Sequence, residues 1–341
     1  MTAPPAHVAA LEARIAERFG RRHCVLVGSG TAALYCIFSS LRSRERGRYV
    51  AYPEITCETA VNASIFAGFE PVFVDVDPGD GNMSAKPPEG IPSAEIAAVV
   101  PTHIYGHLMD LGRLESAFDP DIPRVEDAAQ AYGGSLQGRL AGAMGQAGVI
   151  SFGEGKLIDC GAGGAVLTDD LDLSDAAREV ARHLPLGRDE GDADRAAVMR
   201  SMMDARRGWR EHRDRARLLQ EQRESLARHR NGYLWQISAD AVARIDEVFG
   251  QIHKEAARRR ALAEALDDLL TGVDRVRVIP RKGEAALWRY SFLVAEELRD
   301  RVQADLRKAG IRAAKLFTPC SEKFAVTTDE NTAASVFSAQ V

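Results

Sequence analysis

Three polar groups stand where apolar runs end, and their chemistries are complementary. The first is Gly28-Ser29-Gly30-Thr31, which follows the apolar run "HCVLV" (23–27) and precedes a helical stretch. Glycines let a ligand approach the backbone, and the N–H groups and dipole of a helix start favour a phosphate. Taken singly, the same turn reads more readily as plain helix capping by serine and glycine. The second group is Asp127, placed directly after "RVE" at what should be a strand end. A carboxylate partly buried there needs a cation or hydrogen-bond donors, and a salt bridge or a cap would also serve. The third is Lys156 in "SFGEGKLIDCGAGG" (151–164). Of 44 basic residues only seven are lysines, and this is the only lysine between Lys86 and Lys254. A phosphate cradle, a strand-end carboxylate and then, 29 residues on, an isolated lysine among glycines match the needs of pyridoxal 5'-phosphate. That cofactor requires an anion site for its phosphate, a carboxylate to keep its ring nitrogen protonated, and an amine for a Schiff base.

The elements that must position these groups alternate along the chain. Strands are expected at 23–27, 48–52 and 71–77, within "AEIAAVVPTHIYG" and "IPRVEDAAQAYGG", and on both sides of Lys156 in "QAGVISFG" and "GGAVLTDD". Between them lie helical segments, "GSGTAALYCIFSSLRS", "TCETAVNASIFAG" and "LGRLESAF". Strands alternating with helices imply an α/β fold with a mainly parallel sheet covered on both faces, and ligands collect at the carboxyl ends of such strands. From 185 to 235 the chain is an arginine-rich excursion interrupted by acidic residues, and beyond it a long helix (238–270) leads into a strand, strand, helix, strand order. This divides the chain into a large α/β domain over 1–235 and a smaller C-terminal α+β domain over 236–341.

Composition sets the bounds. With 341 residues, the chain exceeds the roughly 250–300 residues at which single cores stop growing. A net charge of −5 and acidic residues interleaved through the arginine-rich run argue against nucleic acid as a partner. The apolar runs fall short of a membrane span, and the start lacks the basic and apolar regions of a signal peptide. Five scattered cysteines without a C-x-x-C pair suit a reducing cytoplasm and give no metal site.

Taken together, "SGTAAL" (29–34), "GFEPVFVDVDP" (68–78), "VVPTHIYG" (99–106), "VEDAAQAYGG" (125–134), "ISFGEGK" (150–156) and "GAGGAVLTDD" (161–170) resemble the DegT/DnrJ/StrS family of sugar aminotransferases. The resemblance implies a pyridoxal-phosphate-dependent transferase of the aspartate aminotransferase fold (fold type I). On it, Lys156 forms the Schiff base and moves the proton, Asp127 pairs with the ring nitrogen, and Gln130 approaches the phenolic oxygen. Ser29, Gly30, Thr31 and Ser151 hold the phosphate, while His103 and Tyr105 lie at the mouth of the site toward substrate.

Three departures accompany the resemblance. Cys57 occupies the position where the family places an aromatic residue on the cofactor ring. The asparagine that reaches the phosphate from the partner subunit aligns with Leu234, with Asn231 nearby. The late "H-Y-x-P-x-H" pattern is here "LFTPCS" (316–321), and the C-terminal domain reads as shortened. The implied reaction takes nitrogen from an amino acid, L-glutamate or L-glutamine, and gives it to a keto-sugar, keto-cyclitol or related small ketone. The alternative is a non-catalytic or chemically diverged cofactor-binding relative acting as a structural or regulatory subunit. The resemblance also implies a homodimer with shared active sites.

Overall fold

A computed structural model describes residues 4–43, 47–187, 220, 224–228, 230–317, 319–324, 334 and 337–338. Most of the arginine-rich excursion therefore lies outside the described residues. The chain opens with α1 (Ala6–Phe19), closed by Gly20 in the left-handed region, and continues through β1 (His23–Val27) and α2 (Gly30–Arg42). Then come β2 (Tyr49–Pro53), α3 (Glu58–Phe66), β3 (Glu70–Val74), β4 (Ile96–Val99) and β5 (Val125–Asp127). A small antiparallel pair, β6 (Ser135–Leu136) and β7 (Arg139–Leu140), precedes β8 (Ala147–Ser151), β9 (Gly164–Thr168) and α4 (Leu171–Arg182).

Strands β3, β2 and β4 are parallel, as are β5 and β8, while β9 runs antiparallel to both of its neighbours, β8 and β1. Parallel bridges from Val99 to Arg124 and from Thr102 to Asp127 join the two ladders. The result is one sheet in the order β3-β2-β4-β5-β8-β9-β1, mainly parallel with a single reversed strand. Alternate residues face opposite sides, as the period of a strand requires. Val25, Val27, Val149 and Val166 pack beneath α2 and α4. Cys24, Leu26, Ile150 and Leu167 pack against α1 and the helices that follow residue 238. At the outer edge of the sheet, the buried amide of Leu26 in β1 donates to Glu12 Oε1 at 2.8 Å, and Arg178 pairs with the same carboxylate. This occupies a donor that an edge strand would otherwise present to another chain.

The single long helix expected over 238–270 is two, α5 (Ala239–Val248) and α6 (Ile252–Leu270), separated by a 3₁₀ turn at Phe249–Gln251. Gly250 weakens the helix there. The bend also lets Ile245, Phe249 and Ile252 all reach the core, where the Phe249 ring meets Phe152 edge-on. The helix expected in "LGRLESAF" is only a 3₁₀ turn, Leu111–Leu114, capped by Asp110, whose side chain accepts from Gly112 N at 3.0 Å, and Gly112 in its first turn is a weak helix former. Beyond α6 come β10 (Val276–Val278), its antiparallel partner β11 (Phe292–Val294) and α7 (Glu296–Lys308). Two expected strands differ. In "ALWRYSFLV" only the last three residues pair, and 311–317 is extended chain outside any ladder. The amides of Trp288 and Arg289, which a ladder would need, go instead to the carbonyl of Tyr105 at 2.8 and 3.2 Å.

Among the described residues no helix is long and apolar enough to cross a membrane, and no group of three potential ligands is placed to hold a metal.

Candidate active site

The carboxyl ends of β1, β5 and β8 converge on one rim of the sheet, and each carries one of the groups singled out in the sequence. After β1 the chain turns through Gly28 and Ser29 into α2. An α-helix leaves its first amides without an internal acceptor. Ser29 Oγ accepts from Ala32 N at 3.0 Å and Ser29 O accepts from Ala33 N, which leaves the amides of Gly30 and Thr31 without an acceptor among the described residues. The Ser29 hydroxyl itself donates to the carbonyl of Tyr233 at 2.8 Å. Its hydrogen and one lone pair are thus engaged in the cap, and what the turn offers an anion is the Gly30 and Thr31 backbone together with the Thr31 hydroxyl.

Glycines make this turn fit. A Cβ on Gly164 would lie 2.4 Å from the Ser29 carbonyl carbon, and one on Gly28 would lie 2.1 Å from the Trp235 ring. A Cβ on Gly30 would approach the Ser151 side chain at 3.1 Å, so the helix start and the end of β8 are in direct apposition. Ser151 is buried, and its Oγ, 3.3 Å from where a Gly30 Cβ would be, accepts from Gly153 N at 3.4 Å and keeps its own hydrogen to donate.

Asp127 closes β5 and is almost fully buried. Among the described residues its carboxylate accepts one hydrogen bond, at Oδ1 from the Ala129 backbone amide at 3.0 Å. Burial raises its pKa, against the opposing effects of that bond and of the Lys156 charge. A carboxylate so placed is short of positive charge, and a cation set against it would restore the balance.

Lys156 sits on a turn that is fixed from several directions. Its amide donates to Gly153 O, Gly155 N and Gly161 N both donate to the Asp159 carboxylate at 2.7 and 2.9 Å, and Cys160 N returns to Phe152 O. Gly155 has φ +73°, a conformation that favours glycine, and this explains one glycine beside the lysine. The hydroxyl of Tyr132 accepts from Ile158 N and donates to Ile158 O, so the motif bearing Asp127 also clamps the lysine turn. The side-chain ammonium lies 5.2 Å from the centre of the Trp288 ring.

Gln130 is buried, and its Oε1 accepts from Tyr105 N at 2.8 Å, which leaves its amide hydrogens as the available donors. Tyr105 adopts φ 54°, ψ 4°, with its hydroxyl donating to Leu316 O and its ring stacked on Phe317. It joins the rim to the C-terminal segment. Cys57 caps α3, half-buried, with its sulfur 3.2 Å from Thr59 Oγ1.

His103 does not face the mouth of the site. Its ring is fully buried: Nδ1 accepts from Met109 N at 2.9 Å, which puts the proton on Nε2, where it is donated to Glu126 Oε1 at 2.8 Å. Glu126 also accepts from the amides of Gly142, Met144 and Gly145, and these donors, His103 foremost, hold its carboxyl below the usual range despite burial. Residue 103 is therefore a structural support for the segment beneath Asp127. Leu234 is likewise buried in the core of this chain, and Asn231 is exposed.

A lowered carboxyl pKa contributes stability that is present above the unfolded value of 4.5 and is lost as pH falls through the folded value. Glu126→Gln should therefore destabilise the protein at pH 7 by about 3 kcal/mol, because the new NH₂ would face amide donors and leave them unpaired. Urea midpoints should show that difference shrinking below pH 4.5 as the wild-type carboxyl itself protonates.

Sequence reasoning missed Glu126, Tyr132, Trp288 and Arg289. The first two flank Asp127 and Gln130 in "VEDAAQAYGG", where their position within one tight motif was the available signal. The last two come from a segment distant in sequence, and only the fold brings them to the lysine. The open cavity of about 980 Å³ lies at the opposite end of the sheet, beside Arg124 and Gln146 at the starts of β5 and β8, and plays no part in this rim.

Comparison with known proteins identifies the family. Residues 2–340 match the model of the DegT/DnrJ/EryC1/StrS aminotransferase family. Over 178 residues the chain is 32% identical to the UDP-2-acetamido-2-deoxy-3-oxo-D-glucuronate aminotransferase of Pseudomonas aeruginosa, covering 52% of this chain and 49% of that one. Over 160 residues it is 33% identical to the L-glutamine:scyllo-inosose aminotransferase of Streptomyces griseus, covering 47% and 38%. The aligned part thus spans about half or less of the length of these curated relatives. Among solved structures, the Helicobacter pylori aminotransferase PseC superposes with a TM-score of 0.77 at 17% identity, over 98% of this chain and 84% of the other. A Brucella abortus aminotransferase superposes with a TM-score of 0.71 at 23% identity, over 98% and 84%. The converging strand ends and the family match over nearly the whole sequence lead to one conclusion: the chain belongs to the DegT/DnrJ/EryC1/StrS aminotransferase family.

Proposed function

We propose that the protein is a pyridoxal-phosphate-dependent aminotransferase. In this reading it moves an amino group from L-glutamate or L-glutamine to a keto-sugar, keto-cyclitol or related small ketone. The observation that carries the reading is the buried Asp127 carboxylate, destabilised by burial and supplied, among the described residues, with one hydrogen bond, on the same rim as Lys156. Such a carboxylate fits a protonated ring nitrogen, and the Gly30 and Thr31 amides with the Ser151 hydroxyl fit a phosphate. When bound, the cofactor supplies an electron sink that lets the α-carbon of an amino acid lose its proton.

The remaining work falls to the protein. Lys156 would supply the amine that holds the cofactor and, when free, would take up and return the proton. Asp127 would hold the ring nitrogen protonated, and Gln130 would offer its amide hydrogens to the phenolic oxygen. Asp159 and Tyr132 fix the turn that carries Lys156. The relatives act on nucleotide sugars and on a cyclitol, according to their names, which supports an acceptor of that class. Purified protein loaded with cofactor should change its visible absorption on addition of L-glutamate or L-glutamine as the amine form accumulates. Retention of the starting spectrum with every common amino acid would defeat the reading and favour a binding subunit.

We propose in addition that the working unit is a homodimer, as the motif resemblance implies. Sedimentation of the loaded protein should give twice the 37.1 kDa chain mass, and a fully active monomer would overturn the expectation.

A further inference from the structure

The segment Ala286–Arg289 is held from several sides, and it ends in an exposed side chain that has no acidic partner among the described residues. Gly106 packs so closely on it that a Cβ there would meet Trp288 N at 2.6 Å. Tyr105 O accepts both the Trp288 and Arg289 amides, and Arg259 Nη1 donates to the carbonyls of Leu287 and Trp288 at 3.0 and 2.9 Å. The Trp288 indole N–H donates to Gly155 O at 2.7 Å, so the ring is fixed directly to the Lys156 turn. That one ring carries two cations: Lys156 Nζ lies 5.2 Å from its centre and the Arg289 guanidinium carbon 4.7 Å. Arg289 Nη2 also stands 3.5 Å from where a Gly155 Cβ would be. Among the described residues Arg289 forms no ion pair, whereas neighbouring Arg258 and Arg259 are paired with Glu255.

From this geometry we propose that Arg289, braced on Trp288, holds a carboxylate of the amino donor. The inference rests on the aminotransferase reading and names the group in the donor that the site recognises. Two cations on one indole repel each other and jointly favour an anion. A planar guanidinium accepts a carboxylate through two parallel hydrogen bonds, and its stacking on the ring fixes the direction of that fork. An amino acid whose nitrogen takes the place of Lys156 Nζ extends its carboxyl groups only a few bonds further, and the second cation sits on the same ring.

The test uses the cofactor-loaded protein and glutarate, a dicarboxylate that has no amine and cannot react. Calorimetric titration should show glutarate binding about 10- to 100-fold more weakly to Arg289→Gln than to wild type, with Arg289→Lys between them. The apparent affinity for L-glutamate in the half-reaction should fall by a similar factor, with cofactor content unchanged. Equal glutarate affinity in wild type and Arg289→Gln would overturn the proposal. So would a loss confined to UDP, which would assign the charge to a nucleotide phosphate instead. Failure of wild type to convert with any amino acid strikes at the aminotransferase reading, and the glutarate titration still decides the role of Arg289.

Discussion

Lys156→Ala should yield a folded protein that no longer attaches its cofactor covalently and that turns over at least about 10³-fold more slowly. The side chain sits half-exposed on a turn whose shape is set by other groups: the Asp159 carboxylate, the Tyr132 hydroxyl, and Gly155 in its left-handed conformation. The lost packing amounts to one cation–π contact with Trp288, about 1 kcal/mol. The urea midpoint should therefore move little while borohydride no longer fixes cofactor to the chain. Retained covalent attachment in this variant would show that another amine does the work. The nearest lysines in sequence are Lys86 and Lys254, far outside this turn, so no neighbour along the chain can substitute.

Asp127→Asn should separate stability from activity. The carboxyl has a folded pKa raised by burial, so its contribution to stability is favourable below the unfolded value of 3.8 and is lost as pH rises through the folded value. At pH 7 the apo-protein consequently bears the cost of a buried charge. The asparagine variant keeps the shape and the oxygen that accepts from Ala129 N, and removes that charge. Apo Asp127→Asn should be at least as stable as wild type at pH 7, with the advantage vanishing below pH 3.8. Turnover should nevertheless fall by about three orders of magnitude, because a neutral amide does not hold the ring nitrogen protonated. Near-normal turnover would refute the role given to Asp127, and a large drop in apo stability would show that an unrecognised cation pairs with it. The two measurements are independent, so neither result can disguise the other.

Much of the rim was legible before any coordinates. The strands ending at Val27, Asp127 and Ser151 are short apolar runs, and the polar residue after each run marks its carboxyl end. Where a glycine interrupts the apolar period, the reading erred. Gly112 lies in a segment that forms only a 3₁₀ turn, and Gly250 lies where one expected helix is two. His103 illustrates a different failure. A histidine at a strand end has no local feature that says which way its ring points, and here the amide of Met109 and the carboxylate of Glu126 settle it inward.

By itself the sequence determined the alternation that builds a mainly parallel sheet, the glycines that let α2 approach β8, and the order of the cradle, the carboxylate and the lysine. These are encoded in short windows, where periodicity and backbone freedom act over a few residues. Only the tertiary structure decided that β9 runs against its neighbours, that the Ser29 hydroxyl is engaged by Tyr233, and that Trp288 and Arg289 meet the lysine turn. The Ser29–Tyr233 and Trp288–Gly155 contacts join residues more than a hundred positions apart, and the geometry of all of these contacts follows from which surfaces the packed core leaves adjacent, which no local pattern specifies.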